Sequence, residues 1–235
     1  MRVMRVLVAC EESQAVCKAF RERGHEAYSC DVIECSGGHP EWHIKGDALE
    51  VINSEIHENH YEGFRSFEGI QFVTMDGAEH EFPDGWDLII AHPPCTYLTN
   101  AGAVRLRVKG KIVEERYKKV MAAKEFFMKF LNADCFKIAV ENPTPMKIAG
   151  LPEYTQAIQP YEYGHPYSKR TCLWLKGLPP LKPTKIIDHH EPYVNGGCKD
   201  AHGNYRKFPG RKERDPIMRS KTFPGIARAM AEQWG

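Results

Sequence analysis

No apolar run in this chain of 235 residues approaches the roughly 20 residues that a membrane-crossing helix needs. No transmembrane span is therefore expected. Met1 to Cys10 is too short and wrongly flanked for a signal peptide and reads as a buried first strand. The 8 cysteines include no CxxC pair, so neither a zinc ribbon nor a disulfide framework is signalled. A cytoplasmic location with reduced thiols is the expectation that follows. There is no internal repeat and no low-complexity tract, which argues against a repeat architecture. Net charge is almost absent, at +1.

What is present suits one large domain, or one domain with a small appendage. Hydrophobic residues make up 42% of the chain, enough for a sizeable core, and charged residues 27%. The small net charge conceals an asymmetry. Gly164 to Gly235 holds 14 Lys/Arg against 6 Asp/Glu, a net of +8, so the preceding part carries −7. Within the basic part, Tyr205 to Lys221 has 7 basic and 2 acidic residues, and Arg105 to Lys119 repeats that balance. Two such runs fit a polyanionic partner.

The hydrophobic pattern predicts alternating strands and helices. Arg5 to Cys10 is a β-branched run suited to a buried parallel strand. Ser13 is positioned to cap a helix reaching Arg23, with Gly24 ending it. Glu26 to Cys30 is a second strand closed by Asp31, where a carboxylate can accept ribose hydroxyls of a nucleoside cofactor. Gly37 to Pro40 reads as a loop, and Gly46-Asp47-Ala48 opens a helix-like stretch towards Ile56. Ile70 to Phe82 reads as a hairpin, and Trp86 to Ala91 as a strand. Thr96 to Gly110 looks like a flap, followed by a long helix over Val113 to Leu131. Phe136 to Val140 and Thr171 to Leu175 are further strands, and Ile226 to Trp234 a closing helix. Leu178 to Pro224 reads as irregular and basic.

The most informative segment is Ala91-His92-Pro93-Pro94-Cys95. Two prolines stiffen the turn that leaves a buried strand, and a cysteine follows. Ligands of doubly wound α/β proteins bind at the carboxyl ends of strands, so Cys95 is delivered to that edge. A thiolate there can attack an electron-poor carbon.

Asp31, Cys95 and Glu141 thus stand at predicted strand ends. With Lys169 and Arg170, their order resembles the DNA (cytosine-5) methyltransferases, and among them the short phage- and prophage-encoded methylase-like proteins. The Pro94-Cys95 pair, the Glu141-Asn142-Pro143 triplet and the ending Ser220 to Ala227 carry the likeness. The resemblance implies an α/β, Rossmann-like methyltransferase fold using S-adenosylmethionine. The catalytic domain would span 1–178 plus 224–235, with 179–223 as a small insert in place of a large target-recognition domain. It implies Cys95 as the nucleophile on carbon 6 of a flipped-out cytosine, and Glu141 as a protonated carboxyl on ring nitrogen 3. Lys169 or Arg170 would bind the carbonyl oxygen at carbon 2. The cofactor would lie against Cys10, Glu11, Glu12, Ser13, Asp31, Val32, Asp47, Ala48, His92 and Pro93. DNA would meet the flap at Arg105 to Lys119 and the insert at Tyr205 to Lys221.

The turn Cys10-Glu11-Glu12-Ser13-Gln14 replaces the family's glycine-rich first turn. Two carboxylates therefore stand where the methionine moiety would lie, placed to bind its ammonium group or to spoil the site. The amino-methyltransferases place an aromatic residue where this chain has Cys95. A zinc deaminase would need a second cysteine at position 98, which is Leu98. His189, His190, Cys198 and His202 are too loosely spaced to read as more than surface histidines. Two further readings remain: an enzyme of the same ancestry acting on free cytosine nucleotides, and an inactive DNA-binding protein.

Overall fold

The computed structural model describes residues 2–53, 55–58, 66–99, 106–108, 111–193, 197–199, 205–207 and 219–235. Seven strands form the central sheet. They are β1 (Arg5–Ala9), β2 (Glu26–Asp31), β3 (His43–Lys45), β4 (Leu88–Ala91), β5 (Lys137–Pro143), β6 (Gln156–Ile158) and β7 (Thr171–Lys176). Their spatial order is 3-2-1-4-5-7-6. The pairs β1–β2, β2–β3, β1–β4 and β4–β5 are parallel, and β7 alone runs against both its neighbours. The chain is a Rossmann-like α/β fold, as the sequence leads one to expect.

The sheet is covered on both faces, which is why its inner strands are apolar on both sides. Helix α1 (Ala15–Glu22) and helix α3 (Pro224–Trp234) share one face. Val16 and Phe20 of α1 and Ile226 and Met230 of α3 close there over Val6, Val8, Leu88 and Ile90. Helix α2 (Glu114–Leu131) covers the other face, where Phe127 and Phe130 pack over Ile89, Ile138 and Trp174. A separate antiparallel sheet of Glu55–Glu58, Ser66–Val73 and Glu79–Phe82 extends that layer, seating Phe72, Phe82 and Trp86 around Tyr28.

Three local expectations need correction. The stretch from Gly46 is not helix-like as far as Ile56. A single 3₁₀ turn, Ala48–Glu50, is followed by the strand Glu55–Glu58. The flap does not begin at Thr96, because Leu98 and Thr99 are buried and the Met146 N–H donates to the Leu98 carbonyl at 2.7 Å. Positions 100–105 and 109–110 of that flap lie outside the described residues. Within 179–223, positions 194–196, 200–204 and 208–218 lie outside them as well, and with them His202. His190, by contrast, stacks on Tyr161 with ring centroids 4.0 Å apart.

Candidate active site

The parallel strands deliver their carboxyl ends to one edge. The register Ala9↔Ala91 and Ala91↔Val140 aligns the exits of β1, β4 and β5, so the first turn, His92 and Glu141 arrive side by side. The His92 N–H donates to the Ala9 carbonyl at 2.9 Å and continues the ladder by one residue. Pro93 is buried, Pro94 exposed and Cys95 half-buried. The Cys95 carbonyl accepts from the Leu98 and Thr99 N–H groups at 3.0 and 3.2 Å, which closes a tight turn and fixes the thiol's backbone. Because β7 is antiparallel, its entry rather than its exit lies at this edge, and it brings Lys169 there.

These groups form one electrostatic cluster. Burial raises the Cys95 thiol above its ordinary value, with Lys169 and Arg219 pulling it back and Glu141 pushing it up. Glu141 and His92 form a pair with Oε2 3.6 Å from Nδ1, their side chains 14% and 11% exposed. Burial opposes charging either partner. For Glu141 the imidazolium and Lys169 outweigh burial and hold the carboxyl below its usual value. For His92 the Glu141 and Glu11 carboxylates outweigh burial and the repulsion of Lys169, and hold the imidazole above its usual value. The cation beside Glu141 therefore favours its carboxylate form in the free protein.

The alternatives Lys169 and Arg170 part company. The Lys169 ammonium donates to the Arg219 carbonyl at 2.8 Å, near Cys95 and Glu141. The Arg170 guanidinium turns outward and donates to the Tyr154 hydroxyl at 2.7 Å.

The first turn dispenses with glycine by placing Cys10 (φ 58°) and Gln14 (φ 56°) in the left-handed region. This curls Glu11 inward. Its carboxylate accepts from the Val16 and Cys17 N–H groups at 2.8 and 3.2 Å, capping α1. Ser13, expected to be the cap, is only 3.5 Å from the Ala15 N–H. It lines instead a surface cavity of about 450 Å³ with Ser36, Lys221 and Arg228. Glu11 is 4% exposed, and each of its oxygens accepts a hydrogen bond from the helix. Gln14 ties the turn to the loop at His39 through its side-chain amide, which accepts from the His39 N–H at 3.1 Å.

Glu12 stays on the ligand side. It accepts from the Ser36 hydroxyl, and its Oε1 lies 3.8 Å from Lys221, with no hydrogen-bond partner among the described residues. Asp31 ends β2 with one oxygen taking the Ile33 N–H at 3.2 Å. Burial lifts its carboxyl above the usual value. Val32 beside it is 69% exposed. Asp47 caps the 3₁₀ turn through the Leu49 N–H at 3.0 Å, and Ala48 is buried. Burial raises the Cys10 thiol strongly, with Asp31 adding to it. A strand-end carboxylate, an exposed apolar side chain and a carboxylate oxygen without a hydrogen bond among the described residues form a donor set suited to a nucleoside bearing an ammonium group.

Sequence reasoning did not single out Arg219, Lys221 or Ser36. The first two close the basic run Tyr205 to Lys221, and their place at its end was the available signal.

No protein-family model matches this chain, and no curated protein is similar to it in sequence. Solved structures similar in part include two methyltransferases. One is assigned as a DNA modification methyltransferase encoded within an E. coli prophage, with 13% identity, a TM-score of 0.42 and 78% of this chain covered. The other is the Entamoeba histolytica methyltransferase EhMeth, with 16% identity, a TM-score of 0.39 and 83% covered. The chain spans 52% of the first protein and 59% of the second. The fold assignment rests on the sheet itself.

Proposed function

We propose that this protein is an S-adenosylmethionine-dependent methyltransferase acting on carbon 5 of cytosine in DNA. The observation that carries this reading is the meeting of Cys95, Glu141 and Lys169 at the carboxyl edge of one sheet, from β4, β5 and the entry to β7. The donor set fits the cofactor. Asp31 would take the ribose hydroxyls, Val32 would lie against the purine, and Glu12 Oε1, which among the described residues makes no hydrogen bond and only a 3.8 Å ion pair with Lys221, would take the ammonium group. S-adenosylmethionine, when bound, supplies an electrophilic methyl group.

The residues of the chain do the rest. The Cys95 sulfur adds to carbon 6 of a base turned out of its stack, and the electrons of the 5,6 double bond move into the ring. Glu141, once protonated, donates to ring nitrogen 3 and steadies the negative charge that develops there. Lys169 draws the thiol towards its thiolate. After methylation, loss of the carbon-5 proton restores the double bond and expels the Cys95 thiolate.

Covalent trapping tests this. Duplexes containing 5-fluorocytosine are incubated with the protein and S-adenosylmethionine, then denatured. Wild type should yield a resistant protein–DNA adduct, because fluorine cannot leave as the proton does, and Cys95→Ala should yield none. An adduct that survives Cys95→Ala, or its absence with wild type, overturns the proposal.

A further inference from the structure

His92 is the group that the mechanism above leaves unused. It pairs with Glu141 from the exit of β5 and feels the charge of Glu11 from the first turn. Neither ring nitrogen has a hydrogen-bond partner among the described residues, and both are sealed from solvent. A buried histidine that only packs usually donates from one nitrogen and accepts at the other. Here Nδ1 stands 3.6 Å from Glu141, within ion-pair range but outside hydrogen-bond length. Sealing an imidazolium and a carboxylate together is costly, and a better-packed apolar pair would serve stability as well.

We infer that His92 is a positioning residue that stores the proton Glu141 needs, and passes it to Glu141 when the target base enters. This rests on the proposed cytosine chemistry. The step balances within the cluster. The His92 Nδ1–H bond breaks and an O–H bond forms on Glu141, so imidazolium and carboxylate become neutral imidazole and carboxylic acid. Glu141 then donates to ring nitrogen 3. No proton from solvent is required in a site that a bound base would close. Glu11 also favours the imidazolium between turnovers while its own oxygens stay on α1. Lys169, from the entry to β7, repels the imidazolium and stabilises the Glu141 carboxylate alike, so the entering base and not Lys169 drives the transfer. Cys95 follows His92 by three residues on the same turn, and Arg219 faces Cys95 from the far end of the insert.

Two measurements test the inference. The first is an NMR titration of the His92 ring in the intact protein without DNA. Its midpoint should lie above 6.5, the ordinary imidazole value, and should fall in Glu141→Gln and in Glu11→Gln. The second is the pH profile of 5-fluorocytosine trapping. The wild-type rate should decline as pH rises through the His92 midpoint, since the donor is then lost. His92→Asn should trap on the order of 10²-fold more slowly, the usual worth of a positioned proton donor, and should lack that decline. His92→Gln provides a second variant of different size. A neutral His92 at pH 7 overturns the inference. So does a trapping wild type whose pH profile His92→Asn and His92→Gln both leave unchanged. Failure of wild type to trap DNA overturns the cytosine reading together with the His92 role, whereas an unchanged profile in a trapping enzyme overturns the His92 role alone.

Discussion

At the residue scale, a buried carboxylate in the first turn serves the helix that follows. Glu11 is a cap, and its cost of removal should read as a cap's. Glu11→Ala leaves two amides of α1 without an acceptor and should lower stability by about 2 kcal/mol, measured by urea unfolding. Glu11→Gln keeps one acceptor oxygen and should lose less. The pH dependence has a definite sign. Burial raises the Glu11 carboxyl above 4.5, so the folded state holds its proton longer than the unfolded chain does. The stability tied to this group is therefore fully present below 4.5 and falls as pH rises through the raised value. Glu11→Gln should remove that slope. None of this is legible in Cys10-Glu11-Glu12-Ser13-Gln14 as a string. Cap residues ordinarily adjoin the helix, and Ser13 has the better spacing. Only the two left-handed residues bring Glu11 back to the amide of Val16, five positions on.

At the element scale, legibility follows length and apolar content. β1, β2, β4, β5 and β7 are runs of four to seven residues with buried centres, and each can be read directly. β3 and β6 are three residues each, His43-Ile44-Lys45 and Gln156-Ala157-Ile158, too short for any periodicity to register. The strand Glu55–Glu58 is polar in sequence and is recognisable only through its partner, Ser66–Val73. The closing helix α3 is legible from its apolar pattern, but its docking is not. Its Gly225 N–H donates to His165 Nε2 at 2.8 Å. A Cβ at Gly225 would collide with the Tyr163 carbonyl oxygen and stand 2.8 Å from His165 Nε2. Gly225→Ala should therefore push the start of α3 off the sheet, at a cost of about 1–3 kcal/mol. At about 2–4 °C per kcal/mol for a chain of this size, calorimetry should find the melting point several degrees lower. An unchanged melting point would mean that α3 shifts without loss and that this docking is loose.

At the scale of the whole molecule, the basic segment 179–223 leaves and rejoins the body at fixed points. At its start, the Lys182 N–H donates to Gln233 Oε1 at 2.8 Å, and Gln233 returns a bond to the Lys182 carbonyl at 2.9 Å. At its end, the Arg219 carbonyl accepts from Lys169, and Lys221 pairs with Glu12 in the first turn. The segment therefore rejoins the body beside Cys95. Each phosphate contact contributes about 0.9 to the slope of log affinity against log salt on duplex DNA. Replacing Arg211, Lys212 and Arg214 by alanine should flatten that slope by as much as about 2.7 if all three meet phosphates, as read by fluorescence anisotropy at several salt concentrations. A slope near zero in wild type would count against a duplex partner and turn attention to free cytosine nucleotides, whose few charges release few counterions. A steep wild-type slope that the triple variant leaves intact would move the contact to the other basic run, Arg105 to Lys119, next to the Cys95 turn in sequence. The two basic runs are separable in this way because they differ in where they attach, one at the exit of β4 and the other at the first turn and the start of α3.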